Sequence, residues 1–312
     1  SIRRSWKSVK AWADMVAPGF EWYEGCSFGT KRGKTQLSDA DNRNGTPGED
    51  DAPSRAVDLV SDLVMALRFF SRLPTGARPH AVPNLDRIAR VLPLASLLIG
   101  IGPACVLLLS VAGGIPLLFA AIAAAACSAI VTGAMSEDAA ADAADGLFGG
   151  HTAERRLEIL KDSRHGTYGV LTIVFVVGLK VAALSALSAY GGLAAALVWL
   201  AAALLARTGG LYIAMALPPA RASGASAAAG RLSRNAFGFG LVFALGIAAV
   251  LAVPFVPPLG FVVAVVIAAL IALGWTRLCD RLVGGQTGDL IGALQALLEI
   301  ALLATFMRMI AG

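Results

Sequence analysis

Charge is scarce in this chain. Asp, Glu, Lys and Arg make up 15% of its 312 residues, where a soluble domain carries roughly 25%, and the shortfall excludes an ordinary water-soluble fold. Cysteine is scarce too. Cys26, Cys105, Cys127 and Cys279 show no C-x-x-C spacing, which excludes a disulfide framework and a zinc site. Cys105 and Cys127 fall within apolar runs and are expected to be small buried hydrophobes. No Lys follows the glycines of the segment at 284–288, so there is no Walker loop. The first 55 residues hold no long apolar core, and no secretory signal is expected there.

What the chain has instead is apolar length. It is 57% hydrophobic, with a mean hydropathy of +0.71. Apolar runs cover residues 92–111, 115–135, 170–189, 193–217, 239–255, 259–275 and 290–310. Runs of about 18 or more such residues are membrane spans, and abundant Ala and Gly suit close helix packing in lipid. Three breaks, Ala112-Gly113-Gly114, Tyr190-Gly191-Gly192 and Val256-Pro257-Pro258, are turn signals without Lys or Arg. The alternate loops are basic, with Arg155, Arg156, Lys161 and Arg164 in one, Arg221, Arg231 and Arg234 in the next, and Arg277 and Arg281 in the last. This alternation places the basic loops in the cytoplasm. It also accounts for the net charge of +5 without a nucleic-acid partner. The expected fold is all-α, a polytopic membrane bundle of six or seven transmembrane helices with its charges gathered at one face. Seven spans would leave the C-terminus outside. Arg308 is at odds with that, and admits a last segment that is re-entrant or only half crosses.

Residues 1–55 form a separate segment. The stretch 31–54 is polar and of mixed charge, too poor in apolar residues to offset its ordering entropy, and is expected to be disordered. The aromatic stretch before it, with Trp6, Trp12, Phe20, Trp22 and Tyr23, is either interfacial or an extension without function. Residues 57–70 show an amphipathic pattern and predict an interfacial or short entry helix. Residues 56–312 are then the membrane-embedded catalytic domain.

Three segments carry chemistry. In SEDAAADAADG, residues 136–146, Asp138, Asp142 and Asp145 recur at i, i+4 and i+7 and share one helix face. Such a cluster repels itself unless a hard divalent cation neutralises it, and oxygen ligands at this spacing suit magnesium. Glu137 is a fourth carboxylate. The alternative is a solvated acidic face, against which stands its direct continuation from an apolar span, where clustered acids are costly. In RRLEILKDSRHGTYG, residues 155–169, Lys161, Asp162 and Arg164 suit a phosphate clamp beside a metal. They equally suit an ordinary salt-bridged surface helix. The closing Gly-Thr-Tyr-Gly points to a tight backbone approach, and His165 is either a general acid/base or polar surface. In GGQTGDLIGA, residues 284–293, Thr287, Gly288 and Asp289 open a helix whose N-terminus could hold a phosphate, or simply form a Gly-rich turn. Arg207, inside an apolar run, is a functional or pairing residue. Together these predict magnesium-dependent phosphotransfer at helix ends.

Three motifs in this order resemble the cobalamin synthases, the adenosylcobinamide-GDP ribazoletransferases of bacterial vitamin B12 assembly. The likeness covers roughly residues 57–300 and includes LRFFSRLPTG at 67–76 and LPLASLLIG at 92–100. The acidic segment departs from the family pattern, with Ser136 in place of His and Ala139-Ala140 in place of Gly-Leu. A proton-transfer role for that His is therefore dropped or moved to another residue. The resemblance implies transfer of α-ribazole or its 5′-phosphate onto adenosylcobinamide-GDP with release of GMP, in the bacterial inner membrane, with Mg2+ required. It implies Glu137, Asp138, Asp142 and Asp145 as metal-site residues. Asp142, Asp145, Asp162, Arg164 and Asp289 are the expected catalytic residues, with Lys161, Arg164, Thr287 and Gly288 binding the pyrophosphate. Expected partners are these small molecules and membrane lipid, without nucleic acid and with homo-oligomerisation left open.

Two rivals remain. A transporter predicts charges near the bilayer midplane and repeated halves; the sequence shows no repeat, and its charges gather at one edge. A CDP-alcohol phosphotransferase acting on lipid head groups shares the Asp142-x-x-Asp145-Gly146 element, but no Ala-Arg follows two residues after that Gly.

Overall fold

The computed structural model describes residues 59–76, 83–162, 164, 166–221 and 231–310. The N-terminal segment with its expected boundary near 55 and its aromatic stretch, Cys26 and His165 lie outside the described residues. Among the described residues there are eleven helices: α1 (Leu59–Phe70), α2 (Leu85–Ala112), α3 (Leu117–Thr132), α4 (Met135–Gly149), α5 (Ala153–Ile159), α6 (Thr167–Ser188), α7 (Gly192–Gly210), α8 (Tyr212–Ala216), α9 (Arg234–Ala252), α10 (Pro258–Val283) and α11 (Gly288–Ile310). No strand occurs among them, only an isolated bridge between Pro219 and Gln286. Six of these helices, or seven with α3–α4 as one broken span, are long and apolar enough to cross a bilayer. The all-α polytopic bundle is borne out. The last segment needs no half-crossing, because α11 has 23 residues and about 20 suffice.

Helix starts follow local chemistry. Asn84 accepts from the Arg87 N–H, Thr152 from Arg155, Ser233 from Ala236 and Thr287 from Leu290. Each satisfies a backbone donor that the helix leaves open. Helix α7 is the hub. Its span buries 67% of its apolar window, against 22% for the peripheral α10. It packs on α2, α9 and α11. Small residues permit this closeness, since lipid supplies no hydrophobic drive between helices. At Gly240 of α9 the backbone rests on the Ala89 carbonyl of α2, where a Cβ has no room.

Two expectations fail locally. Cys105 is exposed on α2 and Cys127 is only half-buried, whereas Cys279 is buried; being in an apolar run does not say whether a residue faces protein or lipid. The acidic stripe does not continue its apolar span straight. Helix α3 ends at Gly133 (φ 68°), Ala134 is also left-handed (φ 54°), and α4 leaves at 84° to α3. Helix α4 then lies against α6 and α11, bringing Asp145 to the start of α6 and Glu137 to Lys180 further along it.

Candidate active site

One end of the bundle gathers the start of α6, the end of α10, the start of α11 and helix α5; it is the basic end foreseen from the loops. Its parts are fastened by backbone contacts that the sequence motifs make possible. Arg156 donates to the carbonyls of Leu147 (3.2 Å) and Leu282 (3.1 Å), tying α5 to α4 and α10. Arg221 donates to the Leu157 carbonyl. The Gln286 N–H donates to Pro218 O and the Ala220 N–H to Gln286 O, each at 2.9 Å. Gly285 permits that pairing, because a Cβ there would lie 2.7 Å from Pro218 O.

The acidic helix divides its carboxylates among three tasks. Asp145, buried at 7% exposure, accepts from the backbone N–H of Gly166 (2.6 Å) and Gly169 (2.9 Å). It caps α6 from outside the helix, and the carboxylate also suits the positive N-terminal end of the helix dipole. Both glycines are needed: a Cβ at Gly166 would lie 2.6 Å from Asp145 Oδ1, and at Gly169 it would meet Oδ2. The tight approach read from Gly-Thr-Tyr-Gly is thus present. Glu137 turns inward instead. Its Oε1 is 2.8 Å from Lys180 Nζ, and Ser136 Oγ donates to its Oε2 at 2.9 Å. Asp138 is exposed and Asp142 half-buried on the stripe's open side. Gly292 of α11 packs on Ala139, so α11 starts beside this side, and Asp289 lies within electrostatic reach of both Asp138 and Arg221.

The four-carboxylate ligand set expected from the sequence does not assemble. Glu137 and Asp145 have other partners, and among the described residues no group of three or more His, Cys, Asp or Glu is placed to hold a metal ion. Magnesium commonly takes only one or two protein carboxylates and completes its shell with substrate phosphates and water. The donor chemistry of Asp138 and Asp142, two carboxylates one turn apart on the stripe's open side, fits that smaller role.

The expected phosphate clamp is folded on itself. The Arg164 guanidinium forks onto Asp162, with Nη2 2.7 Å from Oδ2 and Nε 3.0 Å from Oδ1, and the Arg164 backbone N–H adds a third bond. These hydrogen bonds hold the Asp162 carboxyl at about 2, and the same pairing raises the Arg164 pKa. Lys161 is exposed at the end of α5. Thr287 is buried as the cap of α11. Gly288 is exposed, with nothing within 4 Å of where its Cβ would stand, so the α11 N-terminus is open to an anion.

Sequence reasoning missed two residues. Lys180 Nζ also reaches Glu299 Oε2 at 3.2 Å, and Trp199 Nε1 donates to Glu299 Oε1 at 2.9 Å. Arg207, within electrostatic reach of both acids, stands beside them with Nη1 buried and without a hydrogen-bond partner among the described residues. Lys180 is about 20 Å along α6 from its start at 1.5 Å per residue, within a hydrocarbon layer of about 30 Å. The charges therefore do not all gather at one face: two acids and two bases lie deep in the bundle. The signal was present, since a lone Lys or Glu in an apolar run is by default a paired or functional residue.

Known proteins show what this sequence is similar to. The cobalamin-5-phosphate synthase family profile matches residues 62–307. The chain belongs to this family. An adenosylcobinamide-GDP ribazoletransferase of Azorhizobium caulinodans is 44% identical over 249 residues, covering 78% of this chain and 94% of the relative. Proteins of the same name from Xanthobacter autotrophicus (44% identical, 78% of this chain and 95% of the relative) and Sinorhizobium sp (41%, 79% and 95%) are similar over the same extent. No solved structure matches. A cobalamin-5-phosphate synthase assignment removes the transporter reading, even though the deep charges meet one of that reading's expectations. The fold gives those charges a different use: they bind α4, α6, α7 and α11 to one another beneath the acidic stripe.

Proposed function

We propose that this chain is a membrane-embedded adenosylcobinamide-GDP ribazoletransferase of the bacterial inner membrane, with its site at the basic, cytoplasmic end. The observation that carries the reading is the 44% identity that extends over 94% of a relative of that name. A hydroxyl of the ribazole ribose attacks the phosphorus on the cobinamide side of the pyrophosphate. The P–O–P bridge breaks, GMP leaves with the electron pair, and the hydroxyl proton passes to solvent or a base. A 5′-phosphate on the ribazole stays in the product.

Each protein group has a part in this. Asp138 and Asp142 would hold magnesium, which supplies charge neutralisation for the pyrophosphate, with Asp289 nearby at the start of α11. The open N-terminus of α11 at Thr287-Gly288 and the Lys161 ammonium bind phosphate oxygens. Arg164 exchanges its fork from Asp162 to a phosphate, which offers the same planar acceptor geometry. Asp145 acts as a positioning residue: by capping α6 it fixes the stripe against the Gly166–Gly169 backbone. The test is GMP release by detergent-solubilised protein given adenosylcobinamide-GDP, α-ribazole and Mg2+. GMP formed only with all three is the expected result. No GMP from folded protein that binds Mg2+ overturns the assignment.

A further inference from the structure

Helices α9 and α10 are consecutive and joined by the short turn around residues 253–257, yet they do not pack along one another. Between them runs a cavity of about 270 Å³. Phe237, Leu241 and Leu245 form one wall, Ala268 and Ala272 the other, and Gly209 of α7 lies on its floor. No charged residue lines it. From Phe237 to Leu245 the groove runs about 12 Å at 1.5 Å per residue, close to the depth of one leaflet of a layer about 30 Å thick. It begins at the basic end, since α9 starts there and Ser233 just before it donates its backbone N–H to Asp86 at the start of α2 (2.7 Å).

The rim of the groove is as positive as its interior is apolar. Arg234 lies one helical turn before Phe237. Arg277 lies one turn beyond Leu273, which also lines the groove. Residues three and four apart share a helix face, so each arginine stands above its own wall. Both are exposed, and neither makes an ion pair among the described residues. Asp280, one turn past Arg277, makes none either and leaves the rim net positive. Tyr212, half-buried and packed on Phe237 with ring centroids 5.9 Å apart, lies where an aromatic ring with a polar tip suits the membrane interface.

We infer that this groove is a binding site for an anionic phospholipid of the basic-side leaflet, with one acyl chain between α9 and α10 and its phosphate between Arg234 and Arg277. The acyl chain alone would fill the crevice in any bilayer; the paired arginines add selectivity for a net negative head group. Each basic residue near an anionic head group contributes a factor of about five in binding, so the pair contributes about 25-fold.

The experiment uses the full chain in detergent, titrated with phosphatidylglycerol and, separately, phosphatidylcholine of identical acyl chains, and scored by native mass spectrometry. Phosphatidylglycerol is expected to bind more tightly than phosphatidylcholine. Arg234→Ala with Arg277→Ala should bring it down about 25-fold, to the phosphatidylcholine level. Leu241→Trp, which fills the groove, should weaken both lipids. Arg155→Ala, on the α5 surface, should change neither. Thermal melts of each variant confirm that it is folded. Equal binding of the two lipids to the unaltered protein, or undiminished phosphatidylglycerol binding by the folded double-arginine variant, overturns the inference. Neither readout depends on the transferase reaction.

Discussion

Replacing Lys180 by Met tests whether the deep charges hold the acidic helix in place. In the native bundle Lys180 lies between Glu137 at 2.8 Å and Glu299 at 3.2 Å, and its side chain is 4% exposed. Met keeps the length and removes the charge. Glu137 and Glu299 then share only Arg207, leaving one excess negative charge among buried side chains. Removing one partner of a buried pair costs about 3–5 kcal/mol. At roughly 2–4 °C per kcal/mol for a domain of this size, the melting midpoint should fall on the order of 10 °C. Lys180→Met combined with Glu299→Gln removes one charge of each sign, and Gln can still accept from Trp199 Nε1. That double variant should regain much of the loss, because a network replaced as neutral pairs is far less costly than one left unbalanced. The assay is thermal unfolding in detergent, followed by tryptophan fluorescence and scored as a double-variant cycle. A Lys180→Met protein within about 1 °C of native, or a double variant no more stable than Lys180→Met alone, would refute the reasoning.

Other outcomes follow from the same geometry. Gly169→Ala puts a methyl group against Asp145 Oδ2, and should both lower the melting midpoint and cut GMP release more than tenfold. Gly288→Ala, with open space at its Cβ, should leave the melting midpoint unchanged, whereas Gly285→Ala, 2.7 Å from Pro218 O, should lower it. Asp142→Asn should abolish GMP release while the protein still inserts in the membrane; full activity would remove Asp142 from the metal site. The Asp162 carboxyl, held at about 2 by Arg164, has a folded pKa below its unfolded one, so the pair's contribution is complete above about pH 4 and fades only as pH falls towards 2. The activity profile between pH 5 and 9 should therefore carry no inflection that Asp162→Asn removes.

How much was legible depends on whether the partner lies nearby in sequence. The spans were legible because apolar length is a local property, and each of the seven runs corresponds to a helix or to a pair of adjoining helices. The bend at Gly133–Ala134 was not, since a single glycine in an Ala-rich run looks like many others and Ala134 carries no turn signal. The stripe of Asp138, Asp142 and Asp145 was placed on one helix face as expected. Its spacing could not reveal that Asp145 turns to the backbone of α6 and Glu137 to Lys180, because those partners are distant in sequence and helix periodicity reports only direction. Asp162 and Arg164 were singled out as parts of a phosphate clamp, but two residues apart they pair with each other. Lys180 and Glu299 were visible as isolated charges and passed over beside the louder motifs.

The bend between α3 and α4 has a consequence for biosynthesis. As the chain leaves the ribosome, α3 and α4 emerge well before the groups that neutralise Glu137: Lys180 comes 43 residues later, and Glu299 sits on the last helix. Until then Glu137 has no cation beside it, and burying an unpaired carboxylate in an apolar layer is costly. The acidic helix can settle into place only after α6 has entered, and the network closes only when α11 has. A chain stopped before α11 would have its acidic helix docked on α6 through Asp145 and Glu137, but would lack Glu299 beside Lys180 and Gly292 against Ala139.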